Sequence, residues 1–373
     1  MTVRTGTEPR KAINMPAPFS FCGQSNSGVD EMQTSVGQFD FLKLHDSVQD
    51  TNVRRLLRVY NVLPKFDGVK EGPKAEQAIL VTDFLRRINE KLKKEVSPGW
   101  KKEWVKRTGY NFAQKSVGDW FIGRSSPPLI AFEKLVEFGL EKEVDALLAS
   151  VQYISSTTRD VVKIPKYSTP DLLYFCGIIL GDGSLSLTRC ADGNWDFNVK
   201  LHSGDKENLE VVSDLVATCF DTKKPSIYFE QNQFGSSWFL QIPDKIIYRF
   251  LVRVIGIPNG KKSGIACIPR SIKALVPEQA VPFLAGLVDS DIGKHGKGMG
   301  CTFKSKLIID DLIVLLRNLG VEAKNYGFHY KNKRYIQHDF SIPKAQVKRF
   351  KDVLEEFYLP KRKDRVQTLH RLS

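Results

Sequence analysis

Two short runs of the chain are almost wholly apolar and helix-like, and each ends on acidic residues. The first is Leu172-Leu173-Tyr174-Phe175-Cys176-Gly177-Ile178-Ile179-Leu180-Gly181-Asp182-Gly183, and the second is Pro282-Phe283-Leu284-Ala285-Gly286-Leu287-Val288-Asp289-Ser290-Asp291. Small residues sit four apart in both, at Gly177 and Gly181 and at Gly286 and Ser290. That spacing lets two helix backbones approach closely. Packed together, the runs bring Asp182 and Asp291 out side by side, where the negative helix poles and unpaired carbonyls collect. A carboxylate there is unfavourable alone and favourable when a divalent cation joins it.

The pattern after each run predicts the same order of elements. Trp195 to His202 alternates apolar and polar residues, which predicts a half-buried strand with Asp196, Asn198, Lys200 and His202 on its open face. A helix over 208–220, strands over 226–230 and 238–242, a helix to Ile255 and the basic loop Gly260-Lys261-Lys262 follow. After the second run come a strand over 300–304, a helix over 307–319, strands over 322–326 and 335–342, another helix, and the loop Lys361-Arg362-Lys363. Ile242-Pro243 begins nineteen residues before Lys261, and Ile342-Pro343 nineteen before Lys361. A repeat of this length is too long for a solenoid and predicts a pseudo-twofold pair of αββαββα halves, 167–275 and 276–373.

The N-terminal part has another character. Residues 1–74 read as a partly disordered arm, with a basic helix at Val53–Tyr60 broken by Pro64 and Gly68. From 75 to 150 the pattern is helical: Ala75–Val96, Trp100–Arg107, about 112–121, and a helix opened by Pro127-Pro128. Ala113, Val117 and Trp120 are expected to face inward, and Gln114, Lys115, Ser116 and Asp119 outward. This stretch resembles the repressor-like helix-turn-helix domains, in which the second helix lies in the DNA major groove. The competing reading is an all-helical bundle used for packing. Residues 151–166 read as a linker.

A formal charge of +14 over 373 residues makes a polyanion the first partner to consider. No run approaches a membrane span, so no membrane partner is expected. The six cysteines form no CxxC pair and read as reduced thiols, neither a disulfide framework nor a zinc site. His202, His295 and His338 lie at no metal-ligand spacing. The first residues show no charged-then-apolar signal, which favours a cytoplasmic location, with access to nucleoid or, in a eukaryote, nucleus, and leaves an organelle as the alternative.

The two acid-ended runs resemble the paired motifs of monomeric LAGLIDADG homing endonucleases, loosely over Phe175–Gly183 and closely over Leu284–Asp291. The resemblance covers about 167–373. It implies an α+β fold built from the duplicated domain, here preceded by the small all-α helix-turn-helix-like region. It implies a sequence-specific DNA endonuclease that makes a staggered double-strand break with Mg²⁺, acting as a monomer on double-stranded DNA. Asp182 and Asp291 are then the catalytic acids and metal ligands, helped by the backbone carbonyls of Gly181 and Ser290. The basic active-site residue falls among Lys261, Lys262, Lys361 and Lys363, a choice the sequence leaves open. Open-face residues Asp196, Asn198, Lys200 and His202, with Lys304 and Lys324, read as DNA contacts beside Gln114, Lys115 and Ser116.

Two positions depart from the family pattern. Leu180 stands where the motif has its first Asp, and Ile292 stands where a glycine normally follows the second catalytic Asp. A β-branched residue there is expected to distort the turn carrying Asp291. Two other readings compete: a non-cleaving LAGLIDADG/helix-turn-helix regulator, and a maturase that binds structured intron RNA. The chain neither begins with Cys or Ser nor ends in His-Asn, so it reads as free-standing or intron-encoded rather than as a complete intein.

Overall fold

Residues with the longest apolar periodicity fold as expected, and the short polar stretches between them supply the surprises. The computed structural model describes residue 44 and residues 56–61, 71–108, 114–156, 161–191, 193, 195–232, 235–295, 298–331 and 335–355. The rest of the N-terminal arm, Ala113, and the loop with Lys361 and Lys363 lie outside the described residues.

The chain enters through a short strand β1 (Arg58–Val59), then the long helix α1 (Pro73–Glu95), α2 (Trp100–Thr108), α3 (Gln114–Phe121), α4 (Leu129–Leu135) and α5 (Glu141–Ser150). Pro73 opens α1 with a fixed φ suited to a first helical turn. Helices α2 and α3 lock through aromatic edges: Trp100 meets Phe121 at 4.8 Å and 89°, and Trp104 meets Trp120 at 6.0 Å and 89°. Val117 and Trp120 are buried, as the inward face requires.

Residues read as a linker instead carry β2 (Tyr153–Ser155) and β3 (Val161–Lys163). With β1 they form an antiparallel sheet in the order β1-β2-β3, so Arg58–Val59 is a strand rather than part of a basic helix and the region is not purely helical. Gln77 of α1 explains why such short strands hold. Its amide nitrogen donates to the carbonyls of Tyr60 (3.0 Å) and Tyr153 (2.8 Å). Its amide oxygen accepts from the backbone N–H of Gln152 and Tyr153, both at 2.7 Å. One buried side chain thus bonds four backbone groups beside strands of two or three residues, among them the Tyr153 carbonyl, which also accepts from Tyr60 N–H at 3.2 Å.

The remainder repeats one connectivity. The first pass is α6 (Pro170–Gly181), β4 (Gly183–Arg189), β5 (Trp195–Ser203), α7 (Lys206–Phe220), β6 (Ser226–Asn232), β7 (Gly235–Ile242) and α8 (Lys245–Arg249), which continues as a π-helical stretch to Ile255. After a short α9 (Arg270–Lys273), the second pass is α10 (Val281–Ser290), β8 (Gly293–His295), β9 (Gly298–Phe303), α11 (Lys306–Asn318), β10 (Lys324–Lys331), β11 (Tyr335–Ile342) and α12 (Lys344–Leu354). The antiparallel sheets run β4-β5-β7-β6 and β8-β9-β11-β10, the same order twice. Strands β4 and β8 directly follow the acid-ended helices and supply the first strand of each αββαββα half, which the alternation of residues had not located.

Apolar residues of α6, α7, α8, α10, α11 and α12 share one core with the inner faces of both sheets. Among the described residues, no helix is long and apolar enough to cross a membrane.

Candidate active site

Helices α6 and α10 are largely apolar, and every residue from Leu172 to Leu180 and from Val281 to Ser290 is buried, including Asp289, which accepts from the Tyr174 hydroxyl at 2.5 Å. They meet backbone to backbone. A Cβ built on Gly177 lies 2.1 Å from the Phe283 carbonyl oxygen and 3.0 Å from Gly286 Cα, and one built on Gly286 lies 2.1 Å from the Tyr174 carbonyl oxygen. Only glycine permits this approach. One turn later, a Cβ on Gly181 would fall 2.0 Å from Ser290 Oγ and 2.9 Å from Asp291 Oδ2. The carboxylate that ends α10 therefore lies against the last residue of α6, next to Asp182.

Both acids cap their helices. Asp182 N–H donates to the Ile178 carbonyl at 3.0 Å and Asp291 N–H to the Leu287 carbonyl at 2.9 Å. Both caps are right-handed, φ −81° at Asp182 and φ −117° at Asp291. Asp182 is exposed and Asp291 half-buried. Ser290 bends its hydroxyl back to the carbonyls of Gly286 and Leu287, both 3.1 Å away.

The expected distortion at Ile292 is absent. The non-glycine residue with positive φ among the described residues is Asp221, so the turn after Asp291 makes no demand for glycine. Ile292 is fully buried, and its N–H reaches the Leu287 carbonyl at 3.2 Å. In the first half, Gly183 presses on α6, where a Cβ would meet Ile179 Cα at 2.7 Å. The difference shows in the strands, seven residues in β4 and three in β8.

Of the two described candidate lysines, Lys262 turns to the acid-bearing end of α6. Its ammonium donates to the carbonyls of Ile179 (2.6 Å), Leu180 (2.6 Å) and Gly181 (2.8 Å), the open end of α6. Burial lowers its pKa to about 8, against the raising influence of Asp291 and Asp182. Lys261 is exposed. The sequence offered the two lysines equally, because nothing local says which one the turn directs inward. The turn is set by Gly260, whose N–H bonds the Leu185 carbonyl at 2.8 Å and whose φ is +66°.

The joining segment around Lys262 is held from both sides. Ser305 Oγ donates to the Ala266 carbonyl at 2.6 Å, while Asp311 accepts from Ile268 N–H and from Lys273, each at 2.9 Å. Sequence reading missed these anchors, which carry no motif.

On the first sheet, Lys200 is half-buried and His202 exposed, whereas Asn198 is buried on what was expected to be an open face. Its amide donates to Asp196 and accepts from Gln241 Nε2 at 2.6 Å, so a cross-strand amide network covers it. On the second sheet Lys324 is exposed at the start of β10, and Lys304 lies just past β9. Ser116 is half-buried on α3, and the side chains of Gln114 and Lys115 lie outside the described residues.

Among the described residues no group of three or more His, Cys, Asp or Glu side chains gathers as a metal cluster. The donors at the helix ends are two carboxylates and main-chain carbonyls, all hard oxygens. That set suits a hard cation which takes its remaining ligands from water or a phosphate.

No family model matches the chain. It is similar to a DNA polymerase of Thermococcus kodakarensis, 24% identical over 186 residues, covering 50% of this chain and 10% of the polymerase. It is also similar to a glutamine–fructose-6-phosphate aminotransferase of Methanocaldococcus jannaschii, 27% identical over 165 residues, covering 43% of this chain and 14% of that protein. The chain thus spans only a small part of the length of the curated relatives it matches. Among solved structures it is similar to the homing endonuclease I-DmoI in complex with DNA and Mn, with 15% identity and a TM-score of 0.41 over 51% of this chain and 98% of that one.

Proposed function

We propose that this chain is a sequence-specific DNA endonuclease of the LAGLIDADG type, cutting both strands of a duplex with the help of a divalent cation such as Mg²⁺. The observation that carries the reading is the meeting of α6 and α10 through Gly177 and Gly286, which sets two carboxylates at one end of the helix pair. A structural helix pair has no use for two adjacent acids at its carbonyl ends, where they are disfavoured. Scission of both strands of a duplex needs an acid for each.

Asp182 and Asp291 would hold the cation with the Ser290 carbonyl, while the Gly181 carbonyl, expected to help, already accepts from Lys262 at 2.8 Å. When bound, the cation polarises the phosphate and lowers the pKa of a water. Lys262 neutralises the carbonyl end of α6 and lies ready to stabilise charge developing on the phosphate. The open faces of the two sheets bind the flanking duplex, with Lys200 and Lys324 on those faces and Lys304 beside them. The α2–α3 pair adds contacts through Gln114, Lys115 and Ser116 in the manner of a helix-turn-helix. The protein acts as a monomer, because it carries both halves.

The test uses duplex DNA from the uninterrupted locus into which its own coding sequence inserts. Wild type with Mg²⁺ is expected to cut both strands, while Asp182→Asn and Asp291→Asn bind with unchanged affinity and leave at least one strand intact. Tight binding without any cut by wild type would sink the nuclease reading in favour of a regulator. Binding to the folded intron transcript in preference to the duplex would favour a maturase.

A further inference from the structure

The open face of the first sheet carries an apolar feature that hydrogen-bond readout of DNA does not require. Tyr228, Phe239 and His202 stand in direct cross-strand register on β6, β7 and β5. Tyr228 and Phe239 have ring centroids 5.2 Å apart at 27°, and Phe239 and His202 are 5.6 Å apart at 33°. Rings so spaced across neighbouring strands turn their faces to one another and their edges outward. Lys200 lies over the Phe239 ring at 5.5 Å. Tyr228 is nevertheless 49% exposed, and His202 is exposed as well.

The fold does not need this row. At the same register in the second half, Thr302 pairs with Asp339, and the Thr302 hydroxyl donates to Asp339 at 2.8 Å. The first half therefore has three rings in register beside a lysine, while in the second a hydroxyl and a carboxylate replace two of them and the strand register shifts beyond Asn325, next to the exposed Tyr326. A stacking platform for unpaired bases needs exposed ring faces, and here both faces of Phe239 and one face each of Tyr228 and His202 are used by neighbouring rings. An apolar ridge flanked by positive charge fits the major groove, whose apolar group is the thymine C5-methyl.

We infer that the Tyr228–Phe239–His202 row is a specificity element that reads thymine methyl groups in the half-site bound by the first sheet. The inference rests on the duplex-binding reading above. Each methyl buried on the row is expected to contribute about fourfold in affinity, the transfer free energy of one such group being about 0.8 kcal/mol.

The test is a binding selection of full-length protein on a randomised duplex library, followed by uracil replacement of each thymine in the enriched sequence. Uracil keeps every hydrogen-bonding group and removes only the methyl. Wild type is expected to lose about fourfold at one or two adjacent positions of one half-site. Tyr228→Ser and Phe239→Ser should bind the thymine and uracil duplexes alike. Tyr228 is exposed enough that its variant keeps the fold, which a melting curve checks. Uracil tolerated at every position, or equal sensitivity in wild type and both variants, overturns the inference alone. No enriched duplex, or stronger binding to single strands, overturns the duplex reading and this inference with it.

Discussion

At the residue scale, the strictest demand is made by Gly177 and Gly286. A methyl at either position meets a backbone oxygen at 2.1 Å, so the helices must separate. Gly177→Ala is expected to cost about 3 kcal/mol, the upper end for overpacking, in urea unfolding. Because both glycines serve one contact, the double variant should cost clearly less than the two single variants added together. Lys262 makes a prediction in pH. Its folded pKa of about 8 lies below the ordinary 10.5, so between those values the unfolded chain still holds a proton that the folded chain has released. Stability then rises with pH across that window. Relative to Lys262→Met, wild type should gain thermal stability from pH 8 to pH 10.5, and parallel melting profiles would refute the assignment. The two acids were legible in the sequence because a carboxylate after an apolar run is a local signal. Which of Lys261 and Lys262 turns to the end of α6 was not, since it depends on Gly260 pairing with Leu185, a contact made through the fold.

At the level of elements, single polar side chains decide what hydrophobic pattern leaves undecided. Helices with a full apolar stripe and the alternating strand at Trp195 were readable because each repeats its signal over several turns or pleats. Strands β1, β2 and β3 are too short to repeat anything. They exist because Gln77 binds both sides of the strand pair. Gln77→Leu keeps the volume and removes the amide, which strands backbone groups in a buried place. It should cost about 2 to 3 kcal/mol by denaturant unfolding. The C-terminus of α7 offers a contrast. Asp221 ends that helix at φ +44°, a conformation that costs most side chains about 1 kcal/mol, and its carboxylate meets Lys74 at 3.3 Å. Asp221→Gly relieves the backbone while losing the ion pair, so its melting temperature should stay near wild type. Asp221→Ala loses the pair and keeps the strained φ, and should melt lower.

For the whole molecule, charge and connection matter most. The excess of +14 predicts binding dominated by phosphate contacts. Affinity for a duplex should fall about a thousandfold or more between 50 and 200 mM salt, measured by fluorescence anisotropy. A flat salt response would argue against a polyanionic ligand. The helical region rides on the first half: Lys74 of α1 pairs with Asp221 of α7 and lies 5.5 Å over the Tyr153 ring, while burial, helped by Asp221, raises the Tyr153 phenol to about 12. The segment between the halves carries a different consequence. Its lysine grips α6 of the first half, while its next turns are fastened to Ser305 and Asp311 of the second. Anyone recombining halves from two such chains would find no clean seam at residue 275. A graft cut there parts Ile268 and Lys273 from Asp311, so the donor of the second half must bring partners that fit the recipient's loop, or the lysine will be presented from a slack tether.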